Sequence, residues 1–185
     1  MNSKTQELAT YDGSKHDRGA SKFIYGIWCI TNSLLFRHSF LPLSKLKVSV
    51  LRVFGAKIGD NVLIKPCVNI RYPWKLQIGD NCWIGEEVWI ENLSKVTMGN
   101  NVCISQNAML ISGSHDYSIT TFDDNSSPIV LEDGVWIGAR AVVGRGVTCG
   151  RNSILSINSV AEKNLAEDSI YLGHPARFAK KREVL

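Results

Sequence analysis

The sequence repeats itself between residues 58 and 110, and this repeat limits the folds open to the chain more than any other feature. Segments that start at Ile58, Ile78 and Met98 share the order aliphatic, Gly, Asp or Asn, Asn, and their starts lie 20 residues apart. Each segment contains a finer period of six, in which an aliphatic residue opens a hexad and a small residue follows four positions later. The openers are Ile58, Ile64, Ile70, Ile78, Ile84, Ile90, Met98, Ile104 and Leu110, and they resume as Leu131, Ile137, Val143, Cys149, Leu155 and Ala161. The small partners include Val62, Val68, Cys82, Val88, Val102, Ala108, Val135, Ala141, Val147, Ser153 and Ser159.

A period of six fits neither an α-helix, whose apolar stripe recurs every 3.6 residues, nor a simple alternating strand. It is typical of a repeat architecture, and we interpret each hexad as a short strand with a corner, so that three hexads close one triangular coil. Openers are predicted to point inward. The glycine after several openers, such as Gly59 and Gly79, is predicted at a corner that needs unusual backbone angles. An ordinary β-sandwich with regular turns is the alternative interpretation.

The predicted organisation has four parts. Residues 1–22 are a flexible polar arm, and residues 23–55 are a helical cap. Residues 56–166 form an all-β solenoid with a protruding active-site loop at 112–130, where the hexad pattern stops. Residues 167–185 are a C-terminal tail.

The cap is predicted to contain two amphipathic helices. The apolar stretch 23–36 is interrupted by polar residues and is shorter than the roughly 20 residues that a membrane span needs. A second helix is predicted at 45–54, ended by Gly55. One interpretation is that the pair covers the unpaired strand edge at the open end of the solenoid. The other is a contact with a membrane surface, made by Trp28, Phe36, Arg37, Phe40 and the lysines.

Composition restricts the partners and the compartment. The net charge is +4, and no basic run is interleaved with aromatic residues, so we expect no nucleic-acid partner. The five cysteines form no Cys-x-x-Cys pair, and Cys82 and Cys149 fall on inward positions, where a thiol acts as a small hydrophobe. This use of cysteine indicates a protein of the reducing cytoplasm. The inner face of the membrane is the alternative location.

The loop at 112–130 contains the only histidine between Phe54 and Gly173, which is His115. A long excursion from a rigid scaffold is a common location for function. A lone histidine in a loop is otherwise most often a solvated side chain, so its place in this break of the repeat is what makes His115 a candidate catalytic residue.

Five short motifs, together with the hexads, resemble a known family. They are Phe54-Gly55-Ala56-Lys57-Ile58-Gly59, Tyr72-Pro73-Trp74-Lys75-Leu76, Gly113-Ser114-His115-Asp116, Val135-Trp136-Ile137-Gly138 and Gly173-His174-Pro175-Ala176. From about residue 20 to its end the chain resembles the left-handed β-helix (hexapeptide-repeat) acyltransferases, and in particular sugar O-acetyltransferases of colanic-acid-type exopolysaccharide clusters. The resemblance implies a left-handed coil, acetyl-CoA as acetyl donor, no required metal, and a homotrimer with a sugar or polysaccharide acceptor.

The same resemblance implies roles for individual residues. His115 corresponds to the general base that takes the proton of an acceptor hydroxyl, a role that suits imidazole. The backbone N–H of Ala139 corresponds to the donor that stabilises the tetrahedral oxyanion. Trp136 corresponds to the aromatic side chain that lines the pantetheine slot; a structural tryptophan at a subunit contact is the alternative. Further coenzyme A contacts are implied at Ala139, Ile157, Lys163 and Arg177.

One position departs from the family pattern. Galactoside-type enzymes carry an acceptor-binding Asn where this chain has Gly85 followed by Glu86 and Glu87. We therefore expect Glu86 and Glu87 to bind the acceptor hydroxyls, and the alternative is that they are solvated coil residues. Asp116 is a further candidate for acceptor binding.

Two other functions stay open as alternatives, an antibiotic or small-sugar O-acetyltransferase and a non-catalytic assembly scaffold. A zinc hydratase of the γ-carbonic anhydrase type is disfavoured, because its metal needs three histidines from neighbouring coils. In this chain His16, His38 and His174 all lie outside the coils.

Overall fold

The N-terminal third forms the helical cap in the computed structural model, which describes residues 5–38 and 43–183. Helix α1 (Lys22–Thr31) begins at Ser21, whose hydroxyl accepts a hydrogen bond from the Ile24 N–H, and continues into a π-helical turn at Asn32–Phe36. Helix α2 (Ser44–Val53) follows. Short 3₁₀ turns lie at Leu8–Thr10, Gly13–Lys15 and Pro73–Lys75. No helix in the described ranges is long and apolar enough to cross a membrane.

The rest of the chain winds into a parallel β-solenoid with three walls. The first wall contains, in spatial order, β1 (Lys57–Ile58), β4 (Leu76–Ile78), β7 (Val96–Met98), β10 (Ile129–Leu131) and β13 (Thr148–Cys149). The second contains β2 (Leu63–Ile64), β5 (Trp83–Ile84), β8 (Cys103–Ile104), β11 (Trp136–Ile137), β14 (Ile154–Leu155), β16 (Ser169–Leu172) and β17 (Arg177–Lys181). The third contains β3 (Asn69–Ile70), β6 (Trp89–Glu91), β9 (Met109–Ile111), β12 (Val142–Val143) and β15 (Val160–Ala161).

The hexad pattern determines which side chains form the core. Every opener named above is buried, and openers of successive coils pair in register, as Ile64 does with Ile84. The small partner positions are buried as well, except Val62 in the first coil, which is partly exposed. The predicted all-β solenoid is therefore confirmed, and the β-sandwich is excluded.

The glycines that follow openers are needed for a different reason from the predicted one. Gly59 and Gly79 do not have positive φ angles; the left-handed positions lie two residues later, at Asn61 (φ 55°) and Asn81 (φ 57°). A Cβ on Gly59 would lie 2.7 Å from the carbonyl carbon of Gly79 in the next coil. Stacked coils approach too closely here for any side chain, whereas asparagine tolerates the left-handed turn.

The cap lies over the first coil of the solenoid. Trp28 of α1 is buried and donates a hydrogen bond from its indole N–H to the Ile70 carbonyl at 3.0 Å. The Lys47 ammonium of α2 donates to the Lys65 carbonyl, also at 3.0 Å. Phe40, one of the side chains assigned to a membrane contact above, lies outside the described residues.

The two chain ends are more structured than the sequence suggested. The described part of the predicted flexible arm is hydrogen-bonded to the rest of the protein, for example from the Glu7 N–H to the Thr120 carbonyl at 2.9 Å. The Trp74 indole N–H likewise donates to the Arg18 carbonyl at 2.6 Å. In the predicted tail, β16 extends the second wall and pairs with β17 in an antiparallel hairpin. Backbone pairing of this kind has no hexad signal, which is why the pattern missed it.

The loop predicted at 112–130 leaves the third wall after β9 and returns at β10. It folds back on itself through an antiparallel bridge between His115 and Asp124. Backbone hydrogen bonds of 2.8 Å join the Asp116 N–H to the Asp123 carbonyl and the Asn125 N–H to the Ser114 carbonyl. This bridge sets two titratable side chains opposite each other at the protein surface.

Candidate active site

The His115 imidazole is held in one orientation by the loop itself. Its Nδ1 lies 2.9 Å from the Phe122 carbonyl oxygen, and its ring stacks on the Phe122 ring with centroids 4.2 Å apart. A carbonyl oxygen only accepts hydrogen bonds, so Nδ1 carries the proton of the neutral ring. Nε2 is then left as a proton acceptor, which is the form that a general base needs.

His115 lines a cleft of about 380 Å³ built from four separate segments. The arm supplies Tyr11, His16 and Arg18, helix α1 supplies Tyr25, and the coils supply Arg71, Tyr72, Glu91 and Leu93. Both aromatic rings and charged groups line the cleft, a surface that suits a sugar ring with its hydroxyls. The sequence interpretation missed the arm residues, since a polar segment without a period carries no signal of where it packs.

Asp124 connects the arm to His115. Its carboxylate accepts a hydrogen bond from the Tyr11 hydroxyl at 2.9 Å, and its other oxygen lies 2.9 Å from Nδ1 of His16. The Tyr11 hydrogen bond raises the pKa of that phenol. The first oxygen also lies 3.5 Å from Nδ1 of His115. One carboxylate therefore faces two imidazoles and a phenol.

The coils contribute an ion pair to the same cleft. Arg71 and Glu91 occupy neighbouring coils of the third wall and meet at 2.8 Å. The Arg71 guanidinium also lies over the Tyr72 ring, 5.6 Å from its centroid. Tyr72 belongs to the Tyr-Pro-Trp motif, and its hydroxyl lies 3.1 Å from Nε2 of His16.

A second groove, of about 490 Å³ and mostly apolar, lies on the second wall. Trp136, Ala139 and Ile157, three of the predicted cofactor-binding residues, line it together. The Trp136 ring is 45% exposed, and its indole N–H donates to the Ser105 hydroxyl at 2.9 Å, which fixes the ring at the mouth of the groove. Among the hydrogen bonds of the described residues, the Ala139 N–H has no backbone acceptor.

The other two predicted cofactor contacts lie outside this groove. Lys163 is exposed in the turn after β15, and Arg177 is exposed at the start of β17. Within one chain, the His115 cleft and the Trp136 groove share no lining residue.

The predicted acceptor-binding residues are not brought to His115. Glu86 lines a different groove, beside Trp83 and Cys103 on the second wall. Glu87 is exposed in a left-handed turn with φ 57°. Both belong to the corner between the second and third walls, whereas the loop leaves the end of a third-wall strand. Glu91, at the end of the third-wall strand β6, is the carboxylate that reaches the cleft.

Asp116, the third acceptor candidate, also lies outside the cleft. Its carboxylate accepts hydrogen bonds from the hydroxyl and the N–H of Ser118, and these bonds hold the pKa of that carboxyl below its usual value. The side chain closes a turn of its own loop.

Three of the five cysteines are poorly placed for nucleophilic chemistry. Burial raises the pKa of Cys82 and Cys103, and it raises the pKa of Cys149 to about 12. A thiol is reactive only as a thiolate, so these three groups stay neutral near pH 7. The part of the chain that the structure describes contains no group of three His, Cys, Asp or Glu side chains that could hold a metal ion.

Comparison with known proteins links this architecture to acetyl transfer. Over 177 residues the chain is 35% identical to WcaF of Escherichia coli strain K12, provisionally named as a colanic acid biosynthesis acetyltransferase, with 96% of this chain and 97% of WcaF covered. It is 28% identical to the galactoside O-acetyltransferase of E. coli strain K12 over 79% of this chain and 73% of that enzyme. A comparison with profiles of known protein families gives no match.

Among solved structures, a hexapeptide-repeat-containing acetyltransferase of Vibrio cholerae, VCA0836, superposes with a TM-score of 0.77 at 26% identity. The match covers 89% of this chain and 96% of that one. A second structure of the Vibrio protein is a complex with acetyl-CoA, with a TM-score of 0.78 at 23% identity over 94% of this chain and 93% of that one.

Proposed function

This chain belongs to the hexapeptide-repeat acetyltransferases, and we propose that it transfers the acetyl group of acetyl-CoA to a sugar hydroxyl of an exopolysaccharide or its precursor. Three observations on its relatives support the proposal: WcaF is named for colanic acid biosynthesis, another relative acetylates galactosides, and the Vibrio protein binds acetyl-CoA. The observation that carries it in this chain is the orientation of His115, with Nδ1 on the Phe122 carbonyl and Nε2 available in a sugar-sized cleft.

The proposed reaction is a direct transfer without a covalent enzyme intermediate. Nε2 of His115 takes the proton of the acceptor hydroxyl as its oxygen attacks the thioester carbonyl carbon. The Ala139 N–H donates to the tetrahedral oxyanion. When this intermediate collapses, the carbon–sulfur bond breaks and the His115 imidazolium returns the proton to the departing sulfur, so that free coenzyme A and an acetyl ester result. The Asp124 carboxylate, 3.5 Å from Nδ1 of His115, stabilises the imidazolium between the two proton transfers.

We propose that the two halves of the site come from neighbouring chains of a homotrimer. Large apolar side chains are exposed on the second wall (Trp83, 60%; Trp136, 45%) and on the third (Trp89, 39%; Met109, 37%). The outward residues of the first wall are mostly polar. Packing the second wall of one chain against the third wall of the next closes a ring of three. Such a ring brings the His115 cleft of one chain to the Trp136 groove of its neighbour.

The remaining contacts complete the proposal. The apolar Trp136 groove suits the pantetheine arm, while Lys163 and Arg177 are the cations proposed for the phosphates of coenzyme A. A cytoplasmic location follows from the use of acetyl-CoA as donor.

Replacement of His115 tests the function. His115→Ala and His115→Asn are expected to lower kcat by about 10²–10⁴-fold and to leave acetyl-CoA affinity and oligomeric state unchanged, since His115 does not line the Trp136 groove of its own chain and lies outside the aliphatic core. His174→Ala, which removes an exposed histidine elsewhere, is the matched control. Release of coenzyme A with acceptor polysaccharide measures turnover. Removal of a general base should cost far more than tenfold in rate. If a variant keeps more than about a tenth of the activity, another group is the base.

The alternatives predict other outcomes of the same assay. A small-sugar or antibiotic O-acetyltransferase would release coenzyme A with monosaccharides or aminoglycosides and not with polymer. A scaffold would consume no acetyl-CoA with any acceptor. Mass spectrometry of the polysaccharide from cells that lack the protein identifies the acceptor, because the acetyl group that disappears marks its sugar and hydroxyl.

A further inference from the structure

Helix α1 presents an apolar strip to solvent along the side that faces away from the solenoid. Phe23 is 76% exposed, Ile27 42%, Ile30 63% and Leu34, in the π-helical turn, 62%. At 100° per residue these positions lie within an arc of about 60°. The residues that anchor α1 to the coils, Trp28 above all, occupy the opposite side.

The charged residues of the cap segment that carries this strip have one sign. Residues 21–56 contain five of the 21 Lys and Arg residues of the chain and none of its 17 Asp and Glu residues. Lys47 is buried and Arg52 pairs with Asp60, but Lys22, Arg37 and Lys45 are exposed. The rest of the chain is close to neutral, so the excess positive charge of the protein is concentrated at its cap.

We propose that α1 docks this protein on an anionic lipid surface, with the strip in the acyl boundary and Lys22, Arg37 and Lys45 at the headgroups. Exposed aliphatic and phenyl side chains in a segment whose charged residues are all cations fit this surface. A second copy docked strip to strip fits less well, because that twofold contact would oppose cations to cations with no acidic residue in 21–56 to pair them.

The docking surface is joined to the His115 cleft by the helix itself. Tyr25 of α1 lines that cleft, with its ring 5.6 Å from the Tyr72 ring. A helix is about 10 Å across, so docking would hold the acceptor cleft about one helix diameter from the headgroups. This link between docking and the cleft rests on the proposed function. The acceptor of the acetyl group would then be a glycan still attached to a lipid.

Vesicle flotation of the full chain tests the docking without any acceptor. The protein should float with vesicles of phosphatidylcholine and phosphatidylglycerol in equal parts, less with phosphatidylcholine alone, and less at high salt. The double variant Phe23→Ser, Ile30→Ser should lower partitioning at least tenfold. Lys22→Glu should lower it roughly five- to thirtyfold. Phe178→Ser and Lys180→Glu make the same changes at exposed positions of the C-terminal hairpin and should have no effect.

Three results would overturn the docking: no flotation with anionic vesicles, equal flotation with neutral ones, or equal losses in the hairpin variants. A change of oligomeric state in the strip variant, measured by light scattering, would assign the strip to a second copy. Circular dichroism shows whether each variant is folded. Since flotation needs no turnover, failure of acetyl transfer with flotation intact would reject only the proposed function.

Discussion

Replacing Asp124 by Asn tests whether its charge assists His115. Asn keeps the shape of the side chain and one oxygen that can accept from the Tyr11 hydroxyl. Its amide N–H can donate to Nδ1 of His16 when that ring carries its proton on Nε2, beside the Tyr72 hydroxyl, so the main loss is the charge. The carboxylate lies 3.5 Å from Nδ1 of His115. At that distance two unit charges interact by about 1 kcal/mol in a water-like medium and by about 5 kcal/mol at an effective dielectric constant of about 20.

Both side chains are partly exposed, 38% for His115 and 23% for Asp124, so water screens part of this energy. A loss of about 1–3 kcal/mol of transition-state stabilisation is expected, because the imidazolium exists only after proton transfer. It corresponds to a kcat lower by roughly 5- to 150-fold. KM for the acceptor should change little, since the amide side chain would keep the arm in place.

Steady-state kinetics of coenzyme A release separate kcat from KM. Asp116→Asn removes the same charge from the same loop outside the cleft, and its kcat should stay unchanged. Asp124→Ala should match the Asp124→Asn variant in kcat and in addition raise the acceptor KM, because Tyr11 and His16 lose their shared partner. If Asp124→Asn keeps more than half of kcat, the carboxylate does not stabilise the imidazolium. If only KM moves, its role is to hold the arm.

Three further outcomes are expected. Gly138→Ala should destabilise the fold by about 1–3 kcal/mol or more, since its Cβ would lie 2.5 Å from the Ile157 nitrogen. Gly144→Ala, whose nearest contact is the Ala161 carbonyl oxygen at 3.1 Å, should cost less in urea unfolding. Trp136→Ala should raise KM for acetyl-CoA at least tenfold if its ring lines the pantetheine slot; an unchanged KM with a dissociated oligomer would assign it to a subunit contact. Because burial raises the pKa of Cys149 to about 12, its stabilising effect is complete below the unfolded value near 8.5 and is lost as the pH rises toward 12. The contribution of Cys149 to the unfolding free energy should therefore fall by about 2 kcal/mol between pH 8.5 and 10. Cys149→Ala should reduce the total fall by that amount without abolishing it, because burial also raises the pKa of Cys82 and Cys103.

The hexads made the solenoid and its core predictable. A side chain of a short strand points in or out according to its place in the period, so Ile64, Leu110 or Val143 could be assigned to the core from spacing alone. Because the hexads are regular, their interruption between Leu110 and Leu131 is clear in the sequence, and this interruption contains His115. Neither conclusion required knowledge of distant contacts.

The six-residue period did not show why glycine is needed after an opener. Gly59 follows an opener because the next coil approaches too closely for a side chain. The left-handed turn lies at Asn61. The spacing is compatible with both explanations, because a corner and a close approach recur at the same interval. Only the stacked coils distinguish them.

The surroundings of His115 were decided by tertiary structure alone. Tyr11 and His16 reach Asp124 from more than 100 positions away, across a segment with no period, and Glu91 enters the cleft where Glu86 does not. The sequence by itself determined which residues line the inside of the prism, because burial there depends on a local repeat. Which residues meet on its outside depends on how the arm, the loop and the walls pack against one another, and that is a property of the folded chain.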